Sequence, residues 1–176
     1  MTLAVPKWAD FEDWAQLRRS NKDYLQPWEP TWRDEHISRH SYKSKLANFK
    51  RMVAADSAYP FHVFRGVDGH KAGQIVGGCN LNFVQRGSLQ SAHIGYWIGE
   101  DYARNGFARA AVRASLRFAF NDLGLHRVSA AVQENNTASI CLLESLGFTR
   151  EGLARRYIKI DGHWQDHYIY AKLSTD

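Results

Sequence analysis

A chain of 176 residues with 44% hydrophobic content can bury roughly 70% of its unfolded surface, so residues 1–176 are read as one domain around one core. Its 23 basic and 18 acidic residues leave a net charge of +5, which favours anionic partners and gives a strongly basic protein no general attraction. Cys79 and Cys141 are too few for a disulfide framework or a zinc centre and are read as small buried hydrophobes; no apolar run reaches membrane-spanning length and no basic-then-apolar leader is present, which makes the cytoplasm the expected location.

In chain order, Leu3 to Val5 reads as a short extended piece, and Phe11 to Arg19 as a helix with Phe11, Trp14, Ala15 and Leu17 as candidate core residues. The loop QPWEP follows, then a less regular helical stretch from about Glu35 to Ala55. Phe61 to Arg65 and Gln74 to Phe83 read as strands joined by a Gly-Asp-Gly-rich turn, and AHIGYWI as the next strand. From Gly106 on, Ala108, Ala111, Val112, Ser115, Leu116, Ala119 and Phe120 recur at helical spacing, while Arg109, Arg113 and Arg117 form a solvated stripe opposite them. Arg127 to Val132 is a β-branched strand, Thr137 to Leu146 a helix stopped by Gly147, and RRYIKI, Asp161-Gly162 and HWQDHYIYAKL a closing hairpin. Strands with interspersed helices and a final antiparallel hairpin predict an α/β chain with a mixed sheet covered by helices on both faces.

The stretch from Ala92 to Arg109, AHIGYWIGEDYARNGFAR, carries the strongest functional signal. A strand runs into a helix through a loop holding Arg104, Asn105 and Gly106. The first N–H groups of a helix lack internal partners and, with the macrodipole, attract phosphate; Gly106 lets a ligand approach the backbone closely. No Gly-Lys-Ser/Thr follows, and one glycine does not make a dinucleotide fingerprint, so another phosphate-bearing cofactor is implied. The competing reading is an ordinary strand, loop and helix with a glycine near the cap.

This loop resembles the acetyl-CoA loop of the GNAT superfamily of N-acetyltransferases, Q/R-x-x-G-x-G/A, with Gly106 and Ala108 matching, and Ala103 and Arg104 departing from the usual Gln/Arg and Gly. LQPWEP, QRGSLQSAHIGYWIG, NNTASICLLESLGF and EGLARRYIKIDGHWQDH, in that order, resemble the RimJ/RimL branch, closer to RimJ, over nearly the whole chain from about Asp10. That branch acetylates the N-terminal alanine or serine of ribosomal proteins. The resemblance implies a central mixed, mostly antiparallel sheet in which HIGYWI and the strand ending near Val132 are parallel neighbours that splay apart to admit the pantetheine arm. At the N-terminus the relatives' Thr-x-Arg-Leu is absent.

Carried onto this sequence, the resemblance implies coenzyme contacts from Trp97, Ile98, Gly99, Arg104, Asn105, Gly106, Phe107, Ala108, Arg109, Asn136 and Ser139. It further implies direct transfer from acetyl-CoA to an amine, so neither cysteine is needed as a nucleophile. A backbone N–H near Ile98 or Gly99 is placed to polarise the thioester carbonyl. Ser139 of N-x-x-S is the candidate acid for the departing thiolate, and Asn136 reads equally as a helix N-cap. Glu29, rigidly set between two prolines, is the candidate to hold the incoming ammonium and relay its proton, against the alternative of a packed corner facing solvent. Trp28, Glu29, Trp164 and Asp166 are placed on the acceptor side; the Asp166–His167 pair is a runner-up base, and Glu100 orders the cofactor loop. Ile158 stands where RimL relatives carry a carboxylate. His62, His93 and His126 stand singly, so no metal is expected. The favoured partner is the N-terminus of a ribosomal small-subunit protein, with ribosomal RNA as a further contact. A small-molecule amine acetyltransferase acting on polyamines or aminoglycosides, and a non-catalytic ribosome-binding module, are the alternatives.

Overall fold

The computed structural model describes residues 1–66 and 73–176. Strand β1 (Thr2–Ala4) leads to helix α1 (Phe11–Ser20), the single turn α2 (Lys22–Leu25) and α3 (Arg39–Ala54). Strands β2 (Tyr59–Arg65), β3 (Gln74–Gln85) and β4 (Ser91–Ile98) follow, then α4 (Phe107–Arg117), β5 (Arg127–Gln133), α5 (Thr137–Ser145), β6 (Thr149–Ile160) and β7 (His163–Leu173). The turn expected between β2 and β3 falls outside the described residues. The region read as one helix from Glu35 divides: a 3₁₀ turn, Asp34–Ile37, precedes Ser38, whose Oγ accepts from Ser41 N at 3.2 Å and caps α3. Helix α4 runs on into a π turn, Phe118–Asp122, that closes against Leu125 through its N–H bonded to Ala119 O.

The seven strands form one sheet in the order β1-β2-β3-β4-β5-β7-β6. Every neighbouring pair is antiparallel except β4 and β5. Two clusters occupy its two faces. Val63, Cys79, Leu81, Ile94 and Ile98 pack against Ala111, Val112, Leu116 and Ala119 of α4 and Leu143 of α5. On the other face Phe64 and Ile75 pack against Phe11, Trp14, Ala15 and Tyr42, where the rings of Trp14 and Tyr42 are 4.8 Å apart. Helices cover both faces, as the alternation of strands and helices predicts.

Two burial assignments change. In α1, Arg18 is buried and Leu17 only half-buried, because residues 11, 14, 15 and 18 share the face turned to the sheet. Cys141 is exposed, since α5 turns Leu143 inward and Cys141 lies on its outer side, whereas Cys79 is buried as expected. Burial pushes the Cys79 thiol up to about 12, and its sulfur lies 3.2 Å from Ser115 Oγ. It is an inert core group.

Strand β6 begins earlier than its sequence reads. Thr149 to Ala154 is mostly exposed on the sheet edge, so it carries no apolar alternation, and bulges interrupt its pairing at Arg150/Gly152 and Ala154/Ile158. At the other end of the sheet, β2 and β3 shift register between Val63 and Phe64, and Gly77 lies where β3 presses on β4. A Cβ at Gly77 would sit 2.1 Å from the Trp97 carbonyl oxygen, a backbone atom that cannot swing aside. Gly77→Ala is therefore expected to cost about 2–3 kcal/mol, lowering the thermal midpoint by roughly 5–10 °C for a chain of this size; an unshifted melting curve would show that the two strands part without penalty.

Candidate active site

Strands β4 and β5 pair only from Ser91↔Arg127 to His93↔Ser129. Beyond that point β4 stays bonded to β3 as far as Ile98, and β5 stays bonded to β7 as far as Gln133, so the two diverge and leave a gap between them. Gly99 donates its N–H to Val76 O at 2.9 Å, on the β3 side. Alternation along a strand turns the Ile98 N–H the other way, into the gap. Of the two backbone groups considered as carbonyl donors, Gly99 is occupied and Ile98 is available.

A cleft of about 640 Å³ opens at this divergence. Trp97 and Ile98 of β4, Arg104, Gly106, Ala108 and Arg109 of the loop and α4, and Asn136 and Ser139 of α5 all line it. Three other residues expected at the coenzyme are not part of this lining, Asn105 being exposed beside it. Gly99 is buried, and a Cβ there would sit 2.8 Å from Leu17 Cδ1; the Asn105 amide donates to Ala103 O at 3.1 Å; and the Phe107 ring meets Tyr102 edge-on. They shape the loop.

The loop's backbone explains its composition. Gly106 has φ +78° and Arg104 φ +59°, both left-handed, so a glycine at position 104 would relieve a strain that Arg104 accepts. Gly106 caps α4 with no side chain, and open space surrounds it. The N–H groups of the first turn of α4 thus border the cleft without intrahelical partners, which suits a pyrophosphate. Asn21, buried at the end of α1, fastens the loop from behind: its Oδ1 accepts from Glu100 N at 2.6 Å and its amide donates to Leu17 O at 2.9 Å. No local pattern marks Asn21, whose partner is 79 positions away.

Across the gap, Asn136 Oδ1 accepts from Ser139 N at 3.1 Å, so Asn136 caps α5 and lines the cleft at once. The Ser139 hydroxyl is 2.6 Å from the hydroxyl of Tyr96, a residue read in the sequence only as part of a strand. Burial raises the Tyr96 phenol to about 12, so it keeps its proton throughout the neutral range.

The QPWEP loop forms the other end of the cleft. Trp28 and Glu29 line the cleft together with Tyr24 and Leu25. Glu29 is not a free carboxylate. Arg18 grips it with both terminal guanidinium nitrogens, Nη1 at 2.8 Å and Nη2, and Trp32 Nε1 donates to it at 3.0 Å. The same guanidinium lies 4.6 Å from the Trp32 ring and 4.9 Å from the Trp97 ring, so one buried cation joins the QPWEP loop to β4. The β6–β7 hairpin meets this loop through Asp161 N to Glu29 O at 3.1 Å, and Gln133 Nε2 donates to Pro27 O at 2.8 Å. Trp164 and Asp166 lie outside the cleft lining: Trp164 is exposed opposite Lys159, and Asp166 accepts from Arg156 N at 2.7 Å, supporting the β6 bulge.

Two histidines flank the strand divergence on β4 and β7. His93 Nδ1 is 3.3 Å from Ser129 Oγ, and His167 Nδ1 is 3.0 Å from the Gln165 carbonyl rather than from Asp166. Burial, then the charge of His167, lowers the His93 pKa; burial lowers that of His167 against the opposing pull of the Gln165 carbonyl and Asp166. The unfolded chain therefore binds more protons than the native one below about pH 6.5. This contribution to stability is complete above that pH and is lost as pH falls through it. Urea midpoints are expected to fall between pH 7.5 and 5.5, with a shallower fall in His167→Asn; identical slopes would mean that the ring charges without cost.

The family model described as "Acetyltransferase (GNAT) domain" matches residues 1–149. The chain belongs to the GNAT acetyltransferases. Among relatives of this GNAT protein, the [ribosomal protein uS5]-alanine N-acetyltransferase of Escherichia coli (strain K12) is 31% identical over 162 residues, covering 92% of this chain and 81% of the relative. The probable N-acetyltransferase YjcK of Bacillus subtilis (strain 168) is 31% identical over 167 residues, covering 95% and 90%. Among solved structures, Mycobacterium smegmatis RimJ in complex with CoA-disulfide superposes with a TM-score of 0.90 at 31% identity, covering 98% of this chain and 81% of that one. The protein is an acetyl-CoA-dependent N-acetyltransferase of the RimJ/RimL type. Among the described residues no helix is long and apolar enough to cross a membrane.

Proposed function

We propose that this enzyme acetylates the N-terminal α-amino group of a protein, with alanine or serine first, and that its acceptor is a ribosomal small-subunit protein in the cytoplasm. The observation that carries the reading is the 31% identity to the E. coli uS5-alanine N-acetyltransferase across 92% of this chain. The described site supports it: the cleft opens between the Trp28–Glu29 loop and the strand divergence, with the β6–β7 hairpin bonded to that loop.

Acetyl-CoA supplies the acetyl group as a thioester when bound. The first turn of α4 with Arg104 and Arg109 holds the phosphates, Asn136 keeps α5 in place, and the Ile98 N–H polarises the carbonyl. An α-amino group titrates near ~7.8 and a thiol near ~8.5, so proton transfer asks little of the protein and positioning carries much of the barrier. Ser139 Oγ donates its proton at the sulfur. Glu29 keeps one unused lone pair, on Oε1, while bound to Arg18 and Trp32, so it holds the incoming ammonium at the mouth, and water carries off the proton.

The test is thiol release from acetyl-CoA with a panel of acceptors: peptides with free N-terminal Ala, Ser, Met or Asp, their N-blocked versions, free lysine, spermidine and an aminoglycoside. Turnover confined to free N-terminal Ala or Ser is the expected result. Turnover with the small amines alone would replace the protein acceptor by a metabolite.

A further inference from the structure

The Tyr96 and Ser139 hydroxyls lie 2.6 Å apart, and among the described residues each has the other as its sole hydrogen-bond partner. They reach each other from opposite walls, Tyr96 from β4 and Ser139 from the first turn of α5, three residues past the last β4–β5 pair. Both line the cleft. A serine hydroxyl has one proton and two acceptor positions, and its rotor is otherwise free to turn. Left alone, that proton would turn toward any neighbouring acceptor. The partner decides its direction.

A phenol is the more acidic of the two hydroxyls and hence the better donor. With Tyr96 donating, Ser139 Oγ accepts, and its own proton is left pointing into the cleft. Donation into Oγ also polarises the remaining O–H, since hydrogen bonds in a chain reinforce one another.

We propose that Tyr96 is a positioning residue for acetyl transfer: its phenol donates to Ser139 Oγ and thereby aims the Ser139 proton at the coenzyme sulfur. This rests on the reading of Ser139 as the proton donor. In the step itself the C–N bond forms as the C–S bond breaks, Ser139 gives its proton to the sulfur, and the proton shed by the amine returns to Ser139 through water. Tyr96 keeps its own proton throughout, consistent with the raised pKa of its phenol.

A donor aimed at sulfur favours thiolate over thiol, which gives a binding measurement independent of turnover. Calorimetric titration of coenzyme A into the wild-type protein should show affinity rising about tenfold between pH 7 and 9.5, the worth of one hydrogen bond to a charged group. Tyr96→Phe, which keeps the ring, should reduce that rise to threefold or less, leave the affinity at pH 7 within about twofold, and lower kcat about tenfold at unchanged acceptor KM. In a Ser139→Ala background, Tyr96→Phe should change nothing further. A wild-type pH dependence and kcat in Tyr96→Phe would overturn the inference, as would an equal further loss in the double variant. Wild-type behaviour of Ser139→Ala would instead remove the underlying reading of Ser139.

Discussion

Ser139→Ala is expected to lower kcat about 100-fold, the range for a positioned proton donor, with acetyl-CoA affinity at neutral pH changed less than threefold. The cap should survive, because Asn136 receives the backbone N–H of residue 139 and not the hydroxyl that the substitution removes. A coenzyme thiol titrates near ~8.5, so its thiolate leaves with some help from water alone, which sets a floor under the loss. Steady-state kinetics with acetyl-CoA and a peptide acceptor check it. An unchanged kcat would hand the proton to solvent and reduce Ser139 to a helix residue.

Arg18→Ala is expected to destabilise the fold by about 3 kcal/mol, the scale for removing one partner of a buried ion pair. That corresponds to a fall of roughly 6–12 °C in thermal midpoint for a chain of this size. Side-chain exposures of 10% for Arg18 and 21% for Glu29 place the pair in the interior rather than among screened surface charges. Removing the guanidinium strands the Glu29 carboxylate and takes away the cation shared by Trp32 and Trp97. Arg18→Met with Glu29→Gln should recover more than half of the loss, since the stranded charge is gone. Acceptor KM should rise in Arg18→Ala if the QPWEP loop receives the acceptor as proposed, because that loop is no longer tied to β4. A midpoint within 2 °C of the wild type would mean that water already reaches and screens the pair.

The parts of this molecule that were legible in its sequence are those governed by local rules. Strand alternation in HIGYWI, helical spacing after Gly106, Asn136 before a helix and Gly147 after it each depend on neighbours a few residues away, and each element stands where it was read. Arg18 was legible in principle: the spacing of 11, 14, 15 and 18 puts it on the buried face, but its charge argues for solvent until Glu29 is known to meet it. Tyr96 to Ser139, Asn21 to Glu100 and Gln133 to Pro27 join residues 43, 79 and 106 positions apart, and no periodicity records such pairs. Glu29 shows the same limit in the site. Two flanking prolines announce a rigid carboxylate, whereas what that carboxylate grips depends on α1 folding back on the loop. The resemblance places Trp164 and Asp166 at the acceptor, whereas in the fold Trp164 is exposed and Asp166 accepts from the Arg156 N–H in the β6 bulge.

Acetyl transfer to an α-amino group is tested by incubating the enzyme and acetyl-CoA with one peptide carrying a free N-terminal alanine and an internal lysine, and locating the acetyl group by tandem mass spectrometry. A single acetyl group on the N-terminal nitrogen, absent when that nitrogen is blocked, is the predicted result; acetylation of the lysine side chain, or none at either nitrogen while spermidine is consumed, would contradict it.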